Sequence, residues 1–201
     1  MITILERHYP VQVIRSIVTN HLRVDESDAE LFEHARMCVI NAFEAAEDYT
    51  NRVIIESHVE ITLDDIEDRV IELPVAPMQS PGGDYTGPDG EKYVLPVIMA
   101  QTNSRRTIIE LIEIPMLNQQ MRTSRVRISG IAGFRDYAGN RTQLSAEEQL
   151  YVLPGAIEQA VALMAGTFFE NIADNTPGSI TEIPTSAKAL LYPYRRLPYG
   201  L

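Results

Sequence analysis

The sequence predicts an α+β protein: mainly a helical bundle, with a small antiparallel β-sheet insert and an extended C-terminal arm. Three observations predict this class. Apolar residues recur at helical spacing in the first third of the chain, alternate with polar residues in the middle, and return to helical spacing near the end. We therefore expect two N-terminal helices, a sheet region, one long late helix and a short C-terminal helix.

The expected boundaries follow these changes of period. The 201 residues are enough for one domain with a sizeable core. We expect a single α+β domain over residues 1–185, followed by the short helix and the arm over residues 186–201. Inside the domain, the predicted helices span about residues 10–22, 27–50 and 154–173, and the sheet region spans about residues 55–130.

The two opening helices carry start and stop signals. Pro10 suits the first turn of a helix. Ser27 and Glu30 have the S-x-x-E spacing of a capping box, which predicts the start of the second helix. That helix carries an apolar stripe that includes Ala35 and Cys38, and it should end near residues 50–51.

The middle of the chain has the pattern of short strands. In "VEITL", Val59, Ile61 and Leu63 alternate with polar residues, and in "SRVRISG" Val126 and Ile128 do the same. Further short apolar runs occur in "RVIEL", "KYVLPV" and "TIIELIEI", while "PGGDYTGPDG" has the composition of a turn. These runs predict a small, largely antiparallel sheet.

The late helix and the C-terminal segment are predicted from spacing and prolines. The long helix opens at Pro154 and places Ile157, Val161 and Met164 on one face. A short helix at roughly residues 186–192 should be stopped by Pro193.

Charge and composition exclude some classes of function. The net charge of −11 disfavours a surface that grips nucleic acid, which would need clustered Lys and Arg. A single cysteine, Cys38, forms no internal disulfide. The N-terminus lacks the long apolar region of a signal peptide, and no apolar run is long enough to span a membrane, so we expect a soluble protein, cytoplasmic where it is made.

No motif predicts catalysis, a metal site or a cofactor. The four histidines (His8, His21, His34 and His58) form no H-x-x-H or Cys/His pattern. Cys38 has no identifiable base beside it and is interpreted as a buried core residue. The acidic run of Asp64, Asp65, Glu67 and Asp68 lacks the spacing of a calcium loop and is interpreted as a solvated turn. An interaction protein is therefore favoured over an enzyme.

The C-terminal segment "AKALLYPYRRLPYGL" has the composition of an interface. Tyrosine and arginine are enriched at binding hot spots, and the two prolines reduce the ordering cost of docking. The alternative is that these side chains fold back over their own helices.

Several segments together resemble the head–tail connector (adaptor, or head-completion) proteins of tailed double-stranded DNA phages and gene transfer agents. They occur in the family's order over nearly the whole chain: "HLRVDESDAELFEHARMCVINAFEAAEDYTNRVII", "IELPVAPMQS", "VRISGIAGF", a proline-opened helix ending "FFEN", and "ALLYPYR". The segment "YAGNRTQLSAEEQLYV" is longer than the usual link, and the turn "PGGDYTGPDG" is extended. These departures affect loop placement more than the fold.

The resemblance implies a structural virion protein at the head–tail junction, assembled in the host cytoplasm. It implies a ring, commonly dodecameric, that docks beneath the portal, extends the DNA channel and presents a surface to the next stopper or tail protein. DNA would pass without specific binding. The resemblance makes residues 190–201 a docking arm for the portal, with contacts through Leu190, Leu191, Tyr192, Pro193, Tyr194, Arg195, Arg196, Leu197 and Tyr199. It also implies that the sheet region packs against neighbouring subunits, without assigning individual residues.

Two other readings of the sequence remain open. One is an unrelated α+β ligand-binding or regulatory domain, which a polar pocket without a ring would favour. The other is an enzyme whose groups assemble only in three dimensions, which a cleft combining His21, His34 or His58 with carboxylates would favour. A small, strand-dominated stopper or tail-terminator protein fits the opening helix pair less well.

Overall fold

The computed structural model describes residues 1–103, 105–121, 125–136, 144–171 and 183–196. The described residues form eight strands and five α-helices, and the chain divides into two compact units. The sheet unit comprises Met1–His8 and Ile55–Gly133, and the helical unit comprises Tyr9–Ile54 and Phe134–Leu201.

The strands all belong to the sheet unit. They are β1 (Ile2–Arg7), β2 (Ser57–Leu63), β3 (Val70–Leu73), β4 (Met78–Thr86), β5 (Lys92–Val94), β6 (Val97–Thr102), β7 (Thr107–Leu111) and β8 (Val126–Ala132). The helices all belong to the helical unit. They are α1 (Val11–Ser16), α2 (Ala29–Thr50), α3 (Ala146–Gln149), α4 (Gly155–Glu170) and α5 (Thr185–Leu191). A π-helical turn, Ile17–His21, continues α1, and a 3-10 turn, Tyr192–Tyr194, follows α5.

The α+β class and the small, antiparallel character of the sheet structure are confirmed, but the expected dominance of a helical bundle is not supported. Strands are about as common as helices in the described residues, and they form two sheets. One strand, β1, precedes all the helices and pairs with β2. It carries β-branched residues in "ITI", a strand-forming composition that the later helical periodicity obscured.

A five-stranded antiparallel sheet has the order β1-β2-β8-β4-β5. The alternation predicted from sequence is confirmed on two interior strands, β2 and β8, except at Leu63, which is half-buried beside the buried Thr62. Ile61 of β2 pairs with Ile128 of β8. Both side chains are fully buried, as are Val59 and Val126. Burial of alternate residues fixes the register, because a slip by one residue would expose them all.

The segment "PGGD" lies within strand β4, which corrects the prediction of a turn there. The pairing of β4 with β8 contains a register irregularity between Gln79 and Gly82. A Cβ atom on Gly83 would lie 2.0 Å from the carbonyl oxygen of Arg127, so β8 approaches too closely for any side chain. The turn lies further on, at residues 87–90.

A second, three-stranded antiparallel sheet has the order β3-β7-β6. Its central strand buries Ile109 and Leu111 completely. The predicted apolar run of "KYVLPV" is divided between β5 and β6, because Pro96 separates them and cannot donate a ladder hydrogen bond.

The helical unit is organised around the packing of α2 against α4. Fully buried side chains on α2 include Val39 and Phe43, and on α4 they include Ile157, Val161 and Met164. The predicted apolar face of the late helix is therefore confirmed from Ile157 to Met164.

The N-cap of helix α2 lies one residue later than the predicted capping box places it. The N-cap is Asp28, whose carboxylate accepts a hydrogen bond of 3.1 Å from the backbone N–H of Leu31, so Ser27 is not the cap. Ser27 instead donates its N–H to the Asp25 carboxylate. The predicted stop is confirmed: Asn51 has φ of 52° and closes the helix in the left-handed conformation.

Two acidic side chains satisfy backbone donors inside the helical unit. The Glu47 carboxylate is buried and accepts a 2.7 Å hydrogen bond from Ile54 N–H, which fixes the chain after α2. The Asp136 carboxylate accepts a 2.6 Å hydrogen bond from Gln12 N–H, and so caps α1 from a distant part of the chain.

Candidate assembly surfaces

The C-terminal segment is anchored on its own unit as far as Arg196. Leu191, predicted as part of the docking arm, is fully buried with Ala187 in the packing of α5 against α4. Leu190 is half-buried beside it. These residues fix the start of the arm to the helical unit.

Hydrogen bonds to backbone carbonyls then hold the segment against the end of α2. Arg52 donates its guanidinium N–H to the carbonyl of Tyr194, and Arg196 N–H donates 2.8 Å to the carbonyl of Thr50. The Arg195 guanidinium lies 5.5 Å from the ring centre of Tyr49, within range of a cation–π interaction. The fold-back alternative therefore describes this part of the segment.

Other residues of the predicted docking arm are exposed to solvent. Tyr192 exposes 65% of its surface, and Pro193 and Arg195 are also exposed. Leu197 and Tyr199 lie outside the described residues. The segment thus presents an exposed aromatic and an exposed cationic side chain, Tyr192 and Arg195, beside a base held by burial and hydrogen bonds.

Exposed large apolar side chains are a second feature that could contribute to assembly, and they are divided unevenly between the two units. Among the described residues, these lie in the sheet unit except for Val11, Leu31, Met37 and Tyr192. Those of the sheet unit are Met1, Ile2, Ile4, Leu5, Val70, Tyr93, Val94, Ile98, Met99, Ile112, Ile114, Met116 and Met121. The sheet unit therefore exposes more large apolar side chains than the helical unit does.

The histidines are placed in three different environments. His8 and His58 lie together with Glu6 on an exposed part of the five-stranded sheet. His21 lines a pocket of about 420 Å³ between the π-helical turn and the start of α4, with Asn20, Glu158 and Gln159 among the other lining residues. Sequence reasoning missed the first group, because it searched for ligand motifs within single segments, whereas His8 and His58 lie in segments far apart in the sequence. The sequence signal that could have identified this group is the segment "ERH", once it is paired with the strand that contains "SHVE".

Cys38 has a neighbour that the sequence interpretation did not identify. His34 Nε2 lies 3.6 Å from Cys38 Sγ, one helical turn away, and the His34 ring packs against Phe169. Burial raises the pKa of the Cys38 thiol, which disfavours the thiolate that a nucleophile requires. The expected role as a buried core residue is confirmed by its position.

The acidic run has a basic partner. Asp64 and Asp65 are exposed, and the Arg125 guanidinium donates to the Asp64 carbonyl and, at 3.1 Å, to the Asp65 carboxylate. The Asp65 carboxylate also accepts from Ile66 N–H at 2.9 Å. These bonds are those of an exposed turn tied to the sheet.

Among the described helices, none has the length and apolar character needed to span a membrane.

Comparison with solved structures defines the fold. The chain is similar to one in the virion of a native gene transfer agent particle, with a TM-score of 0.69 and 21% identity, over 100% of this chain and 98% of that chain. It is also similar to a chain in the neck of an empty gene transfer agent particle computed with C6 symmetry, with a TM-score of 0.68, 20% identity and the same coverage.

A third similar chain comes from the neck of a native particle computed with C12 symmetry, with a TM-score of 0.61, 18% identity and 98% coverage of both chains. No protein-family model matches the sequence, and no curated protein matches it significantly. The protein therefore has the fold of a chain found in gene transfer agent particles, over essentially the full length of both.

Proposed function

We propose that this protein is a structural, non-enzymatic component of the neck of a virion or gene transfer agent particle and acts as a head–tail adaptor. The observation that carries the proposal is the structural likeness to neck chains over 98–100% of both partners. In this role the protein forms a ring beneath the portal, commonly of twelve copies, and extends the DNA channel. The ring also provides the attachment surface for the next stopper or tail protein.

Ring formation would use the apolar surface of the sheet unit. A cyclic ring requires a heterologous contact, in which one face of each subunit meets a different face of the next. The exposed valine, isoleucine and methionine side chains of the sheet unit supply the surface whose burial would stabilise such a contact. Val94 is the most exposed of the valines, at 83%.

Portal docking would use the C-terminal segment. The burial of Leu191 and the bonds of Tyr194 and Arg196 hold its base, while Tyr192 and residues 197–201 supply contacts to the partner. A fixed base lowers the ordering cost of docking. Many such contacts act together in a ring, so each contributes little on its own.

The net charge suits passage of DNA through the ring. A total of −11 supports a channel that repels phosphate and leaves DNA free to slide without specific binding. Assembly in the host cytoplasm would precede incorporation into the particle.

The test is the mass of the complete protein with and without its portal, measured by native mass spectrometry. A ring, or a monomer that becomes a ring-sized complex on portal, supports the adaptor role. A protein that stays monomeric and ignores portal contradicts it.

Truncation locates the docking surface. Deleting residues 197–201 leaves every described contact of the segment in place, whereas deletion from Tyr192 also removes the bonds to Arg52 and Thr50. We expect the shorter truncation and Tyr192→Ala to form rings that bind portal weakly. Full portal binding by the truncated protein carrying Tyr192→Ala would exclude this arm as the docking surface.

A ligand-binding role is the second candidate, and the pocket that contains His21 is the observation that favours it. Its mixed polar and apolar lining is compatible with a small molecule. A Gln159→Trp substitution would fill the pocket. If this variant forms rings and binds portal as the wild type does, the adaptor role does not require a ligand in the pocket.

A further inference from the structure

Three potential metal ligands meet where strand β1 ends. Glu6 and His8 are two residues apart, so their side chains lie on the same side of an extended chain. Glu6 pairs with His58 of β2, and His8 N–H donates a 2.8 Å hydrogen bond to the carbonyl of Glu56. Backbone pairing therefore sets the positions of all three residues, which we call the Glu6–His8–His58 cluster.

A β-bulge brings the cluster together. The register between β1 and β2 shifts between Ile4, which pairs with Val59, and Glu6, which pairs with His58. Leu5 is the extra residue. Without the bulge, His58 would face Leu5 and Glu6 would face Ser57. Bulges commonly re-aim side chains in this way.

The side chains are close enough to share one ion. A ligand atom from each lies within 4.8 Å of the other two, and Glu6 Oε2 lies 4.0 Å from His8 Nε2. The imidazole rings of His8 and His58 are 5.6 Å apart between centres and tilted by 70°. Tetrahedral zinc with ligands at about 2.0–2.1 Å requires ligand atoms about 3.3 Å apart. All three residues are exposed, so small side-chain rotations close this difference.

We propose that the Glu6–His8–His58 cluster binds a divalent transition-metal ion, with zinc as the best match. Two imidazoles and one carboxylate form a ligand set that zinc uses in proteins, while calcium and magnesium prefer oxygen ligands alone. The three side chains leave a fourth position open to water. The ion links the edge strand β1 to β2, and so holds the end of β1 on the sheet. This inference does not depend on the proposed function.

Binding is tested with zinc sulfate alone, added to the complete, tag-free protein. Isothermal titration calorimetry should show one saturable ion per chain, and the melting temperature should rise with zinc, because the ion binds the folded state. His8→Gln and His58→Gln should each weaken binding by about tenfold or more, and Glu6→Gln by less.

His21→Gln is the matched control, since His21 is an exposed histidine of the helical unit. It should bind zinc as the wild type does. Circular dichroism of the metal-free variants should match the wild type, because the substituted side chains are exposed. Absence of saturable binding would overturn the proposal. So would binding that survives both His8→Gln and His58→Gln.

Discussion

The two units of the chain differ in where their large apolar side chains lie. The helical unit buries the apolar faces of α2 and α4 against each other and exposes few large apolar residues. The sheet unit fills its core with alternate strand residues, yet it also exposes most of the molecule's uncovered large apolar side chains among the described residues. The helical unit thus covers most of its large apolar side chains by its own packing, whereas the sheet unit leaves more of them exposed, and under the proposed function these would meet a neighbouring subunit.

Self-assembly should therefore depend on the sheet unit, and Val94→Lys should have the largest effect. Val94 is 83% exposed on edge strand β5, and each valine removed from a buried contact would cost about 1.5 kcal/mol or more at every subunit interface. We expect ring formation to be lost while the monomer stays folded, as measured by light scattering.

Val11→Lys is the control for that experiment. Val11 is also an exposed valine, at 65%, but it lies at the start of α1 in the helical unit. It should leave the ring intact. Equal loss of ring formation in both variants would contradict the prediction that self-assembly depends on the sheet unit.

The sheet unit also contains a backbone contact that accepts no side chain. Gly83→Ala should lower the free energy of unfolding by about 1–3 kcal/mol, because its Cβ would overlap the Arg127 carbonyl on β8. Gly82→Ala should change it by less than about 0.5 kcal/mol, because no atom lies within 4 Å of the new Cβ. The free energies of unfolding of the two variants are compared by urea unfolding. Similar free energies for both would show that β8 can move away from the new Cβ atom at position 83.

In the helical unit, the largest polar effect should come from Glu47. Glu47→Ala leaves the buried Ile54 N–H without its 2.7 Å acceptor, which should cost about 1–3 kcal/mol. Asp48→Ala, at the exposed neighbouring position, should stay within about 0.5 kcal/mol of the wild type. If thermal melts show no difference between them, the Glu47 bond does not hold the end of α2.

The smallest effect concerns the reactivity of Cys38. Burial raises its pKa, so the thiolate fraction near pH 8 is lower than for a free thiol, and access is restricted as well. Alkylation of the native protein should be at least about tenfold slower than in urea, and should speed up as pH rises toward the shifted pKa. Rapid labelling of the native protein would indicate that this part of α2 opens readily.

Much of the local structure could be predicted from the sequence. Alternation identified the central strands through Val59, Ile61, Val126 and Ile128, and helical spacing identified α2 and the buried face of α4. The capping residue was misplaced by one position, because Ser27 and Asp28 are both good N-caps and sequence alone does not separate them. Strand β1 was missed, because a six-residue segment carries a weak signal that long-range pairing with β2 decides.

The candidate surfaces were predicted less completely, for a similar reason. Composition indicated that the C-terminal segment could form an interface. It did not separate Leu191, which is buried, from Tyr192, which is exposed. The apolar surface of the sheet unit consists of residues that a periodicity argument assigns to strands without showing which ones stay uncovered.

The sequence by itself determined the helical and strand periods, the acidic charge and the single buried cysteine, because these depend on residues that are near neighbours along the chain. Only the tertiary structure decided which strands pair, where β8 excludes a side chain at Gly83, and which side chains meet in the Glu6–His8–His58 cluster. Those features join residues far apart in sequence. Their positions follow from the register and packing of the whole fold, which local patterns do not contain.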